Sequence, residues 1–153
     1  MLRAGYWWRG DVLYRKFFFL SMMLEPAMIA PVMCEPSLPL DNPAGLAVDP
    51  EELETIANRL SNDGLTVMGY LFKGDSFCQA ERFAAYSQAL GPNFMGRVLP
   101  DSAGNQDDLP PFAKEVMGHP HCVVTTHLID EAGQPTLAAR DEIIAFLKRR
   151  LLT

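Results

Sequence analysis

Basic residues are scarce: 13 lysines and arginines stand against 19 aspartates and glutamates, for a net charge of −6. That balance provides no basic face to neutralise phosphates, so nucleic acid is excluded as an expected partner. Cysteine is scarcer still. Cys34, Cys78 and Cys122 are odd in number and lack metal-ligand spacing. Neither a disulfide framework nor a metal site is expected, no cofactor is called for, and reduced thiols point to a cytoplasmic setting. No apolar run reaches the roughly twenty residues of a membrane span, because Asp11, Arg15, Lys16 and Glu25 bracket the stretch from Phe17 to Leu24. A secretory signal would close that stretch with small residues, whereas Glu25-Pro26 stands there. Internal repeats and low-complexity segments are also absent.

What is present suits one globular domain, since 153 residues that are 48% hydrophobic can bury a sizeable core. The informative stretch is Leu65 to Phe83. Leu65 to Phe72 is almost continuously apolar with β-branched and aromatic members, which predicts a strand covered on both faces in a parallel sheet. Lys73-Gly74-Asp75 ends it, placing Asp75 just past the carboxyl end of the strand, where ligands gather in open α/β sheets. Phe83, Tyr86, Ser87 and Leu90 then follow at helical spacing up to Gly91.

Residues 1–16, with Tyr6-Trp7-Trp8, read as an atypical segment apart from a domain over 17–153. Phe17 to Leu24 predicts a core helix, and Met28 to Cys34 a buried strand that ends at the Glu35-Pro36 break and carries Pro31 as a cost. Ser37 to Val48 has the composition of a loop. Asp49-Pro50-Glu51-Glu52 opens a helix whose stripe is Leu53, Ile56, Ala57 and Leu60, closed by Asn62-Asp63-Gly64. Asn93 to Leu99 predicts a further strand. The polar stretch from Pro100 to Gly118 is a long loop with a short helix at Phe112 to Met117. A final helix, capped by Thr136, buries Leu137, Ile143, Ile144, Leu147 and Leu151.

This alternation is that of a parallel α/β sheet. An acid after one strand and a histidine in a loop after the next can meet at one sheet edge, and an acid that orients a histidine is two-thirds of a nucleophilic triad. Asp75 and His121 are the candidates, with His119 the competitor for the histidine. His127, after Val123 to Thr126, reads as structural. Asp75 also suits the plainer role of capping the next helix. Cys34 and Cys78 do not lie on a glycine-flanked turn, and buried thiols are usually inert.

Four segments carry a family resemblance: EPAMIAPVMCEPSLPL, GLTVMGYLFKGDSFCQAERFAAYSQALG, RVLPDSAGN and HPHCVVTTHLIDEAGQPTLAARDEIIAFLKRRL. In that order, from about Leu24 to Leu152, the chain resembles the carboxyl-terminal half of a dienelactone hydrolase-like α/β-hydrolase. The resemblance implies a partial α/β-hydrolase-like parallel sheet flanked by helices, Asp75 as catalytic acid, His121 as catalytic histidine, and a small ester or lactone as substrate. One departure matters. Such enzymes carry a G-x-S-x-G or G-x-C-x-G elbow before the first helix recovered here, and no such pentapeptide occurs; the chain reads GYWWRGDVLYRKFFF instead. The domain is therefore expected to be incomplete at its amino end. It would be a weak hydrolase, or a non-catalytic remnant that serves as a binding or interaction module. A sheet without its front strands exposes an edge, which predicts a homo-oligomer.

Overall fold

The structure, a computed structural model, describes residues 20–152, so the atypical segment 1–16 and the start of the helix expected at Phe17 lie outside the described residues. At the centre lies β2 (Val67–Phe72), whose six residues are all buried. It pairs in parallel with β1 (Val32–Cys34) on one side and β3 (Phe94–Leu99) on the other. Cys34 is in register with Tyr70, and Phe72 with Leu99, so the carboxyl ends of the three strands share one sheet edge. The result is a small open parallel sheet with helices, a mixed α/β fold.

Alternation along β2 sends its side chains to two different cores. On one face Val67 joins Leu20, Met23, Met33 and Leu65 beneath α1 (Pro50–Asn62) and α2 (Ala80–Leu90). Ile56 and Leu60 of α1 are fully buried there, and each stabilises the fold by roughly 2 kcal/mol through removal of apolar surface from water. On the other face Met68, Tyr70 and Phe72 pack with Val123 and with Ala139 and Phe146 of α4 (Pro135–Leu151). Coverage on both faces explains why β2 is a continuous apolar run. Gly69 is required within it: a Cβ there would lie 2.8 Å from the Phe94 ring.

The expected start of α1 is observed. Asp49 takes the N-cap position in extended conformation, Pro50 stands at the first turn, and Glu51 and Glu52 sit at the positive end of the helix dipole. A short α3 (Pro111–Val116) occupies the long loop after β3.

Four expectations need correction. Of the stripe expected to be buried on α4, Ile144 and Leu151 are exposed, and the buried residues are Thr136, Ala139 and Phe146. Instead of a helix to Leu24, the described residues there form one 3-10 turn, Ser21–Leu24, in which only Met23 is buried. The guanidinium of Arg59 in α1 donates to the carbonyls of Met23, Glu25, Pro26 and Met28, satisfying acceptors along an irregular segment. β1 starts only at Val32, because Pro31 cannot donate to the ladder, although its carbonyl accepts from the Met68 amide at 3.1 Å. Thr136 does not cap α4. Gln134 holds that position ahead of Pro135, and the Thr136 hydroxyl instead accepts from the Ile129 amide at 3.0 Å and lies 3.4 Å from the Ala103 carbonyl.

Among the described residues no helix is long and apolar enough to cross a membrane.

Candidate active site

The site is built where β2 leaves the sheet. The Lys73 amide still donates to the Leu99 carbonyl at 2.8 Å, and the chain then turns sharply at Gly74. The Gly74 amide donates to Asp101 Oδ1 at 2.8 Å, and that carboxylate occupies the space a Cβ would need. This close approach fixes the next residue, Asp75, at the sheet edge.

Asp75 Oδ1 accepts from the amides of Phe77 and Cys78 at 2.9 and 3.1 Å. Its Oδ2 lies 2.7 Å from His121 Nδ1. The two oxygens of Asp75 thus have separate partners, and the expectation that Asp75 caps the next helix is corrected. Asp75 does not cap α2 itself, whose N-cap is Gln79; it caps the turn leading into that helix. The Asp75 side chain is fully buried, whereas that of His121 is 18% exposed. A carboxylate can only accept, so the pair needs the imidazole proton on Nδ1, which leaves the Nε2 lone pair free to take a proton.

The His121 loop is pegged by a second histidine. The amides of His121 and Cys122 both point at His127 Nδ1, at 3.3 and 3.1 Å, and the His127 amide donates back to the Cys122 carbonyl at 3.0 Å. An Nδ1 that accepts must be unprotonated. Burial, followed by the nearby charge of His121, lowers the His127 pKa and favours that neutral form. His127 is therefore structural. The competitor His119 is exposed and stands 4.0 Å from Asp101, not beside Asp75.

For His121 itself, burial is the largest influence and pulls its pKa down, but the hydrogen bond and charge of Asp75, with the charge of Glu35, outweigh it. The net shift is upward. The Phe77 ring stands edge-on to the imidazole, with centroids 5.4 Å apart, and walls one side of the pair.

Glu35 has no counterpart in the sequence reading, where Glu35-Pro36 marks only the end of a strand. It is buried, at the carboxyl end of β1, and its Oε1 accepts from the Val123 amide at 2.7 Å. Burial pushes its pKa up to about 7, against the opposing pull of the Val123 amide and the His121 charge, with Asp75 adding to the rise. An acid just past a strand end is the signal that could have marked it.

The thiols are held in their protonated form. Burial, then the charge of Glu35, pushes Cys34 up to about 12; burial, then the charge of Asp75, does the same to Cys78. A thiol at about 12 supplies almost no thiolate at neutral pH. Cys122 is raised too, chiefly by burial. Among the described residues no group of three histidines, cysteines or acids is disposed to hold a metal. No known protein family matches the chain, and neither does any curated protein or solved structure.

Proposed function

We propose that the chain carries the acid–base half of a hydrolytic centre for small esters or lactones, of the dienelactone hydrolase type. Asp75 orients His121, and His121 acts as general base. The observation that carries this reading is the 2.7 Å contact between a fully buried carboxylate and a partly exposed imidazole, 46 positions apart in sequence. Such a pair leaves Nε2 aimed at whatever it deprotonates and stabilises the imidazolium that forms. A partial α/β-hydrolase sheet, a cytoplasmic location and a homo-oligomeric state belong to the same reading.

Purified protein and a simple activated ester test it: a rate above buffer that vanishes in His121→Ala supports the general base, and equal rates contradict it. A second reading, a non-catalytic binding or interaction module, is favoured by one observation. The sequence has no elbow pentapeptide, and among the described residues Cys34 and Cys78 are held as thiols. Absence of any His121-dependent rate would move the balance to that module.

A further inference from the structure

Asp75 has one buried acidic neighbour that the general-base reading leaves unused. Glu35 leaves β1 at the sheet edge from which Asp75 leaves β2, and it is 8% exposed. Its backbone is in the left-handed region, at φ 48°, where a residue with a Cβ is disfavoured and glycine or asparagine would sit more easily. The conformation is held on both sides: the Glu35 amide donates to the Tyr70 carbonyl at 2.9 Å, and Ser37 Oγ donates to the Glu35 carbonyl at 2.8 Å. Arg82 tethers the segment that follows, through the carbonyls of Pro36, Pro39 and Asn42. An unfavourable conformation held so firmly directs the carboxylate inward, where Oε1 meets the Val123 amide at 2.7 Å. Val123 is two residues beyond His121 on the same loop and is itself fully buried.

We propose that Glu35 is a second positioning acid of this centre, which clamps the His121 loop to the end of β1 through the Val123 amide. The proposal rests on the reading of Asp75 and His121 as an acid–base pair. In that division of labour Asp75 sets the tautomer of the ring, and Glu35 sets where the loop holds the ring. Glu35, buried at the same sheet edge, adds its charge to that of Asp75, and both favour the imidazolium formed during general-base attack.

The groups that face Glu35 come from three elements. Cys34 lies on its own strand. Asp75 and Cys78 lie beyond β2. His121 and Cys122 lie on the clamped loop. Of these only His121 becomes a cation near neutral pH, so removal of the Glu35 charge should be read most clearly there.

The test is a proton NMR titration of His121 in the unliganded full chain, comparing wild type with Glu35→Gln and Glu35→Ala. Glutamine keeps an acceptor for the Val123 amide but has no charge; alanine removes both. Expected in Glu35→Gln is a midpoint for His121 at lower pH than in wild type, with the low-field resonance of the proton shared with Asp75 retained. Expected in Glu35→Ala is the lower midpoint together with loss or broadening of that resonance, as the loop is released. A His121 midpoint unchanged in Glu35→Gln would overturn the proposal, and Glu35→Gln alone decides it should the alanine variant not fold. Catalysis is not needed for the readout. A missing His121-dependent ester rate alongside a shifted midpoint would count against the hydrolase reading and leave the positioning role of Glu35 standing.

Discussion

Asp75 Oδ2 and His121 Nδ1 meet at 2.7 Å, while the other oxygen of the same carboxylate is saturated by the amides of Phe77 and Cys78. The acid is held by its own turn before it holds the histidine. Its orientation therefore does not depend on the histidine, which is what an orienting group requires.

Removing that carboxylate should cost stability as well as orientation. Asp75→Ala leaves two amide donors in a buried turn without their acceptor, at about 1–3 kcal/mol for each unsatisfied group. A loss of roughly 3 kcal/mol in urea unfolding is expected, and less for Asp75→Asn, whose carbonyl can still serve the turn. An Asp75→Ala midpoint and slope equal to those of wild type would contradict the description of this turn.

Glu35 should make the fold less stable at alkaline than at acidic pH. Its folded pKa is raised to about 7 from an ordinary 4.5, so between these values the folded chain holds a proton that the unfolded chain has released. Stability is thus lost as pH rises from about 4.5 to about 7, by an amount on the order of 3 kcal/mol. His121 acts in the same direction, because its raised pKa favours the folded state at low pH and that contribution is lost as pH rises above its unfolded value near 6.5. Thermal melts of wild type and Glu35→Gln at pH 5 and pH 8 check this. The variant should lose less stability between the two pH values than wild type does; equal losses would exclude a buried, titrating Glu35.

Arg82 is 1% exposed, and its guanidinium serves three backbone carbonyls, those of Pro36, Pro39 and Asn42, rather than a carboxylate. Arg82→Ala strands these acceptors and frees the segment that follows Glu35. A destabilisation of about 3 kcal/mol is expected from denaturant unfolding, since hydrogen bonds to a charged donor contribute about 1.5–3 kcal/mol each and water replaces part of the loss. A change below about 0.5 kcal/mol would show that the tether is unimportant.

Self-association is expected from the open edges of the sheet. Among the described residues β1 and β3 each pair only with β2, and Met22 and Leu24, close in sequence to β1, are exposed at 47% and 38%. Light scattering is expected to give at least twice the mass of the chain, shifting toward the monomer when Met22 and Leu24 are both replaced by lysine. A monomeric wild type at working concentration would refute this.

The parts of this architecture that were legible in the sequence are those fixed by short-range pattern. Leu65 to Phe72 reads as a two-face-covered strand because both cores draw on it, and the start of α1 follows from Pro50 in the first turn and the acids Glu51 and Glu52 at the positive end of the helix dipole. The meeting of Asp75 and His121 is legible from the α/β order, which brings strand ends to one edge. Other long-range polar contacts were not legible. Arg59 reaches carbonyls more than thirty positions earlier and holds the irregular segment between the 3-10 turn and β1. Glu35 finds its partner 88 positions away, at Val123, so next to Pro36 it looked only like a strand terminator. Thr136 was a local misreading: Pro135 already marks the first turn and places the cap at Gln134.

The most direct test of the acid–base pair is the pH dependence of activated-ester hydrolysis by wild type, His121→Ala, Asp75→Asn, Cys34→Ala and Cys78→Ala. The sequence has no elbow pentapeptide, and an aimed oxyanion donor supplies a factor of about 10² to 10³, so only slow attack by water is expected. The wild-type rate should therefore lie marginally above buffer, rise as His121 loses its proton, fall to the buffer rate in His121→Ala, drop in Asp75→Asn, and stay unchanged in both cysteine variants. A rate indifferent to His121 and Asp75 would contradict the account, as would robust, saturable turnover that disappears with either cysteine.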